Sequence, residues 1–366
     1  MIKIAEPGIG EEEINAVVGV LKSGTIVQGP KVREFEEKFA RLCNVKHAVA
    51  VNSGTAALHA SLYACGVGEG DEVITVPFTF VATANSILMQ RAKPVFVDIE
   101  EETFNIDPSK IEEKINGSTK AILPVDLYGQ AYDYDAVDRI AKKHGLKIVE
   151  DACQAVGADY HGRKCGSLGD IASFSFYATK NLITGEGGMV TTDNPEMAEL
   201  AKRLRHQGQS ESARYHYFDL GYNYRMTDIM AAIGIPQIKK IENLNSVRIK
   251  NAKLLSQGLK NIKGIEVPKT KSGFKHVFHQ YTIKVTEDFK LNRDEVVKFL
   301  GSKGIGSGIY YPTPLHLFSH IKKYGYKEGD FPVSEKLSMQ VLSLPVHPGV
   351  SESQIQEIIS AFGEME

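Results

Sequence analysis

The sequence predicts an α/β protein: a mostly parallel sheet with helices on both faces, followed by a smaller α+β domain. Two observations carry this. Between residues 47 and 192, short runs rich in β-branched residues alternate with stretches of helical periodicity, the pattern of strands joined by crossover helices. Beyond Gly264 the alternation gives way to one strand-like run, one helix, a proline-bearing loop and a closing helix. At 366 residues the chain has room for a large core and two domains of unequal size. The division is expected as 1–245, an N-terminal segment with the large domain, and 246–366, the small domain.

The elements follow in order. Residues 11–23 and 31–43 carry helical periodicity, and the stretch between them ends in Gly29-Pro30, a glycine–proline stop. Strands are expected over 47–51, 71–76, 94–99, 120–127, 147–151, 171–177 and 188–192. Of the helices between them, 133–145 ends at Gly145, a residue suited to the left-handed C-cap. Residues 227–262 read as one long helical stretch with Pro236 as a candidate kink. His279–Val285 reads as a strand, Arg293–Gly301 as a helix, and a last helix starts at Ser351.

Composition narrows the function classes. Hydrophobic residues at 42% and charged residues at 24% are ordinary for a soluble globular protein. A net charge of −2 argues against nucleic acid or an anionic membrane surface as partner. No apolar run approaches the roughly 18 residues of a membrane span, and the opening Met-Ile-Lys-Ile is unlike a signal peptide. Cys43, Cys65, Cys153 and Cys165 form no CxxC pair, which suits a reducing cytoplasm, with Cys43 and Cys65 as packing residues. The 11 histidines are scattered without an HExxH, so no metal site is expected.

The chemistry concentrates at three places. Lys180 follows the apolar run Ser173-Phe-Ser-Phe-Tyr-Ala-Thr and precedes Gly185-Glu-Gly-Gly188. An amine there becomes nucleophilic when an apolar wall or a neighbouring cation disfavours the ammonium. Asp151 closes the run Lys147-Ile-Val-Glu-Asp151 at a strand end. A lysine that forms an imine and a carboxylate that keeps a pyridine nitrogen protonated are what pyridoxal phosphate requires of a protein. Third, Val49-Ala-Val-Asn-Ser-Gly54-Thr55-Ala-Ala-Leu58 runs a strand through Ser-Gly-Thr into good helix formers, which presents unpaired amides and a positive dipole end to a phosphate. Each has a plainer reading: a solvated lysine, an aspartate helix N-cap, an ordinary capped turn. All three emerge near the carboxyl ends of the strands, where sheets of this kind bind ligands.

Along the chain stand Gly29-Pro30 with Phe35-Glu36, Asn52-Ser-Gly-Thr55, Pro77-Phe-Thr-Phe-Val-Ala-Thr83, Leu127-Tyr-Gly-Gln130, Glu150-Asp-Ala-Cys-Gln154, Ser173-Phe-Ser-Phe176 with Lys180, Thr184-Gly-Glu-Gly-Gly188 and Gly221-Tyr-Asn-Tyr-Arg225. Their order and spacing carry a resemblance, over nearly the whole chain, to the DegT/DnrJ/EryC1/StrS family of pyridoxal-phosphate-dependent sugar aminotransferases. It implies a fold-type I, aspartate-aminotransferase-like architecture and a homodimer with shared active sites. It further implies Lys180 as the Schiff-base lysine and Asp151 as partner of the pyridinium nitrogen. Gly54, Thr55 and Ser175 match phosphate contacts, Phe80 the residue that stacks on the ring, and Gln154 the side chain that reaches the ring hydroxyl. Asn223 and Arg225 match positions that cross from the neighbouring subunit towards phosphate or substrate; Tyr311 and His316 stand as substrate residues. The chain departs from the family at Asp126, where many members have histidine, and at Tyr310-Tyr311-Pro312, where His-Tyr-x-Pro is common.

The implied reaction moves an amino group from an amino acid, L-glutamate by expectation, to a keto group of a nucleotide-linked sugar, with pyridoxal 5'-phosphate as cofactor. A 4-keto-6-deoxy sugar is expected from the run Gly221–Asp228, and a 3-keto sugar is the alternative. A sugar dehydratase on the same scaffold would carry histidine in place of Lys180. A non-catalytic regulator would carry an added DNA-binding module and a basic face.

Overall fold

The computed structural model describes residues 1–210 and 215–365. At its centre is a seven-stranded sheet, ordered edge to edge as His47–Val51, Gly188–Thr192, Ile171–Ser175, Lys147–Asp151, Thr119–Ile122, Glu72–Thr75 and Lys93–Phe96. Gly188–Thr192 runs antiparallel to both neighbours, and every other adjacent pair is parallel. The mostly parallel α/β sheet read from the sequence is therefore the one formed. Successive side chains alternate between its faces. Val49 and Val51 join the core that holds Ala57 and Leu58, whereas Ala50 joins the core that holds Phe35 and Phe39.

The strand expected over 120–127 stops at Ile122. Pro124 follows, and a proline has no N–H for the ladder; its carbonyl accepts instead from the Asp151 amide at 2.9 Å. The helix Gly54–Ala64 is buried nearly all round, because it lies between the sheet and a further helix, Pro195–Arg205, that the sequence reading did not assign. Asn194 caps that helix by accepting from the amides of Glu196 and Met197, a signal that was present in the chain.

The helix Asp228–Leu259 is a single element with Pro236 inside it. Its first turn grips the N-terminal region: the Asp228 carboxylate accepts from the amides of Gly29 at 2.8 Å, Lys31 at 3.1 Å and Val32 at 3.0 Å. An acid placed at those amides satisfies otherwise unpaired donors at the start of the helix Pro30–Cys43. It also explains Gly29, where a Cβ would come within 2.8 Å of Asp228 Oδ2. The other end of the long helix enters a second core through Ala252, Leu255 and Leu259. That core is built on a three-stranded sheet, Ile265–Glu266, Tyr281–Val285 and Val341–Leu344, with the helices Arg293–Ser302 and Glu352–Gly363. Ile2 packs into the same core and bridges to Ile305. Among the described residues, no helix is long and apolar enough to cross a membrane.

Candidate active site

A cavity of about 490 Å³ opens beyond the carboxyl ends of the parallel strands, where the turns after several strands converge. Asp151 ends the strand Lys147–Asp151 and is 3% exposed. Its Oδ2 accepts from the Thr83 hydroxyl at 2.8 Å and its Oδ1 from the Cys153 amide at 3.2 Å. Burial raises the Asp151 pKa, opposed by these hydrogen bonds and by the charge of Lys180. Lys180 lies five residues beyond the strand Ile171–Ser175, with its amide bonded to the Tyr177 carbonyl at 2.8 Å. Burial lowers the pKa of its ammonium, opposed by Cys153 and Asp151. The lysine is thereby biased towards the neutral amine that an imine-forming nucleophile needs.

The third wall is the start of the helix Gly54–Ala64. Ser53 caps it by accepting from the Ala56 amide at 3.1 Å. A Cβ on Gly54 would lie 2.7 Å from Ser175 Cβ and 3.2 Å from Cys153 Sγ, so only glycine lets this helix start press against the strand end. Gly54, Thr55 and Ser175 therefore meet at one edge of the cavity. Phe80 is about half exposed (53%) and lines the cavity, 6.1 Å from the ring of Tyr311. Gln154 has a fixed orientation: its Oε1 accepts from the Tyr128 amide at 2.9 Å and its Nε2 donates to the Tyr311 hydroxyl at 3.3 Å.

The structure thus brings Lys180, Asp151, Gly54, Thr55, Phe80, Gln154, Ser175 and Tyr311 to one cavity. It does not bring the others. His316 is fully buried, 2.9 Å from Glu335 and edge-on to Phe331, and it is not in the cavity wall. Arg225 lines a different cavity of about 570 Å³ with Arg33 and Arg205, and lies 2.8 Å from His206. Asn223 is exposed, and its carbonyl accepts from Asn52 at 3.4 Å. The departure at Asp126 has a structural setting: it is fully buried beside Glu150 and Cys165, their polar atoms within 4.8 Å of one another.

Sequence reasoning missed several wall residues. Thr83 has no role in the sequence reading, yet it holds Asp151. His279 and Gln280 fall in the expected strand His279–Val285, which in the structure begins at Tyr281, and both line the cavity. No periodicity marks that difference.

Chemically, the wall offers an amine biased towards its neutral form, a buried carboxylate, a helix N-terminus and an exposed aromatic face. An aldehyde, a basic ring nitrogen, a phosphate and a flat ring have a counterpart each, so the residues present fit pyridoxal phosphate. Comparison with known proteins agrees. The profile of the DegT/DnrJ/EryC1/StrS aminotransferase family matches residues 7–363. The spore coat polysaccharide biosynthesis protein SpsC of Bacillus subtilis (strain 168) is 42% identical, across 97% of this chain and 94% of its own. A GDP-perosamine synthase of Caulobacter vibrioides is 39% identical, across 100% and 98%. Among solved structures, S. venezuelae DesV in complex with a ketimine intermediate superposes with a TM-score of 0.92 at 38% identity, covering 96% of this chain and 94% of that one.

Proposed function

The chain belongs to the DegT/DnrJ/EryC1/StrS aminotransferase family, and from that premise we propose that it transfers the amino group of L-glutamate to the C4 keto group of a nucleotide-linked 4-keto-6-deoxy sugar. At the coarser level it is a pyridoxal-phosphate-dependent aminotransferase acting on nucleotide sugars, of fold type I. The observation that carries the reading is the opening of Lys180, Asp151 and the Gly54–Thr55 helix start into one cavity. The choice of a 4-keto sugar rests on the likeness of Gly221–Asp228 to members acting on such sugars. A 3-keto sugar is the alternative.

The roles follow from the residues. Pyridoxal phosphate, when bound, supplies an electron sink that lets an amino acid lose its Cα proton. Lys180 would be the nucleophile that holds the cofactor and the base that takes the donor's Cα proton, and with the keto-sugar it would deliver a proton to the sugar carbon. Asp151 holds the cofactor's ring nitrogen in its protonated form, with Thr83 and Cys153 fixing the carboxylate. The amides of Gly54 and Thr55 with Ser175 would take the phosphate, Phe80 would pack on the ring, and Gln154 would bind the ring hydroxyl. Tyr311, held by Gln154, faces the substrate.

Asn223 and Arg225 do not line the cavity of their own chain. This supports a homodimer in which each subunit lends both residues to its partner's site, where a guanidinium binds phosphate oxygens in pairs. The setting is cytoplasmic. Purified protein loaded with cofactor should lose its visible absorbance on addition of L-glutamate, and the amine should then appear at C4 of a 4-keto nucleotide sugar by NMR. Transfer only to a 3-keto sugar would select the alternative, and bleaching only by another amino acid would replace the donor.

A further inference from the structure

Beside the cavity lies a buried cation without a counter-ion. Arg248, on the long helix, is 6% exposed, and among the described residues it makes no ion pair. Burial alone pulls its pKa down to about 10. Such a charge is costly to keep in a protein interior unless something nearby uses it. Its Nη1 donates to the Phe278 carbonyl at 3.4 Å, while its Nε is buried with no partner. The next residue, His279, is 6% exposed and has the complementary defect, a buried Nδ1 with no partner. His279 lines the cavity. Burial and the charges of Lys180 and Arg248 hold the imidazole neutral, its pKa well below the ordinary value.

The segment that carries this ring is firmly held. The Val277 amide donates to the Gly129 carbonyl at 2.9 Å, the Gln280 amide to the Tyr128 carbonyl at 3.3 Å, and Asn181, adjacent to Lys180, to the Val277 carbonyl at 3.2 Å. The wall itself is short of positive charge. Among its described residues Lys180 is the one lysine or arginine, set against Asp151 and Glu186, and the reaction needs Lys180 as a neutral base. An amino-acid donor nevertheless brings a carboxylate on the carbon that Lys180 must deprotonate.

We propose that Arg248 and His279 form the recognition device for that carboxylate: the His279 ring donates its N–H to the donor's α-carboxylate, and Arg248, tied to the neighbouring Phe278 carbonyl, sets its buried charge behind that contact. The donor in the cavity is then fixed in direction and backed by the arginine's charge. Arg248 is a positioning residue and His279 touches the substrate. The inference rests on the aminotransferase reading above but not on glutamate, because every α-amino acid carries this carboxylate.

The test uses the cofactor-loaded protein and the α-methyl analogue of whichever amino acid bleaches the wild type. This analogue binds but has no Cα proton to lose. Its dissociation constant is measured by absorbance titration and compared with that of the matching carboxamide. The wild type should prefer the carboxylate by roughly 10- to 100-fold, the range of one charge-assisted hydrogen bond. His279→Leu and Arg248→Met should lose most of that preference. His279→Gln, whose side-chain amide also offers an N–H, should keep it. Affinity of the aminated cofactor form for the keto-sugar should change less than about threefold in His279→Leu. A His279→Leu protein that still prefers the carboxylate as the wild type does, or that loses keto-sugar affinity to the same degree, overturns the proposal, whatever becomes of Arg248→Met. A wild type that responds to no amino acid would instead fail the aminotransferase reading itself.

Discussion

Replacing Thr83 by valine removes one hydroxyl at the centre of the site. The side chain keeps its shape and loses the group that donates to Asp151 Oδ2 at 2.8 Å and lies 3.2 Å from the Thr79 hydroxyl. Asp151 also accepts from the Cys153 amide at 3.2 Å, so the substitution removes the shorter of these two bonds. A hydrogen bond to an ionised group is worth about 1.5–3 kcal/mol. If that stabilisation is fully expressed in the transition state, kcat falls about 10- to 150-fold. The pH dependence gives an independent readout. Burial raises the Asp151 pKa and Thr83 is the first of the groups that lower it. Without Thr83 the carboxylate takes up its proton at higher pH, and the acid limb of the kcat profile moves upward. Thr83→Ser restores the hydroxyl without the methyl and should recover both. Wild-type kcat with an unmoved acid limb in Thr83→Val would refute the reasoning; equal damage in Thr83→Ser would assign the effect to packing of the methyl group.

Three further outcomes are expected. Gly54→Ala drives a Cβ to 2.7 Å from Ser175 Cβ and should cost about 1–3 kcal/mol by overpacking, measured by denaturant unfolding; a second change, Ser175→Gly, should return most of it, and failure to do so would show that the contact is not the cause. Asp126→Asn should stabilise the protein above about pH 4: burial and Glu150 raise the Asp126 pKa well above its ordinary value, so the native chain must take up a proton that the unfolded chain releases near pH 3.9, at about 1.4 kcal/mol per pH unit until the folded pKa is reached. A gain that shrinks as pH rises would contradict this sign. Mixing inactive Lys180→Ala and Arg225→Ala proteins should restore activity if each site draws the two residues from different subunits; no rescue, with subunit exchange confirmed, would place both in one chain.

Much of this was legible in the chain because the site sits at strand ends, and strand ends are marked by composition. The runs ending at Val51, Asp151 and Ser175 are short, apolar and β-branched or aromatic, and each delivers its polar residue directly to the cavity. What stayed hidden depends on distance in sequence. Nothing near Gly29 announces that Asp228 will occupy its space, and nothing near Gly54 announces Ser175. The orphaned pair Arg248 and His279 is of the same kind, since each residue alone reads as an ordinary helix or strand position. His316 illustrates the reverse. Its loop sits in the expected part of the chain, but its ring is drawn inward by Glu335 and Phe331, partners that local pattern cannot supply.

The place of His47–Val51 at the edge of the main sheet has a consequence for how the protein comes into being. Its strand partner in the sheet is Gly188–Thr192, and the carboxylate that caps the helix before it comes from Asp228, 199 residues beyond Gly29. On a ribosome adding about 5–20 residues per second, the first strand waits roughly 7–30 s for its neighbour. Throughout that interval Val49 and Val51 have no sheet to join, and their amides and side chains are open to any other extended chain, whereas the Ala50 amide has an earlier partner in Glu36 at 2.8 Å. The first strand to be made is therefore the last to be covered, and the hazard of misassembly is greatest while the protein is still being synthesised.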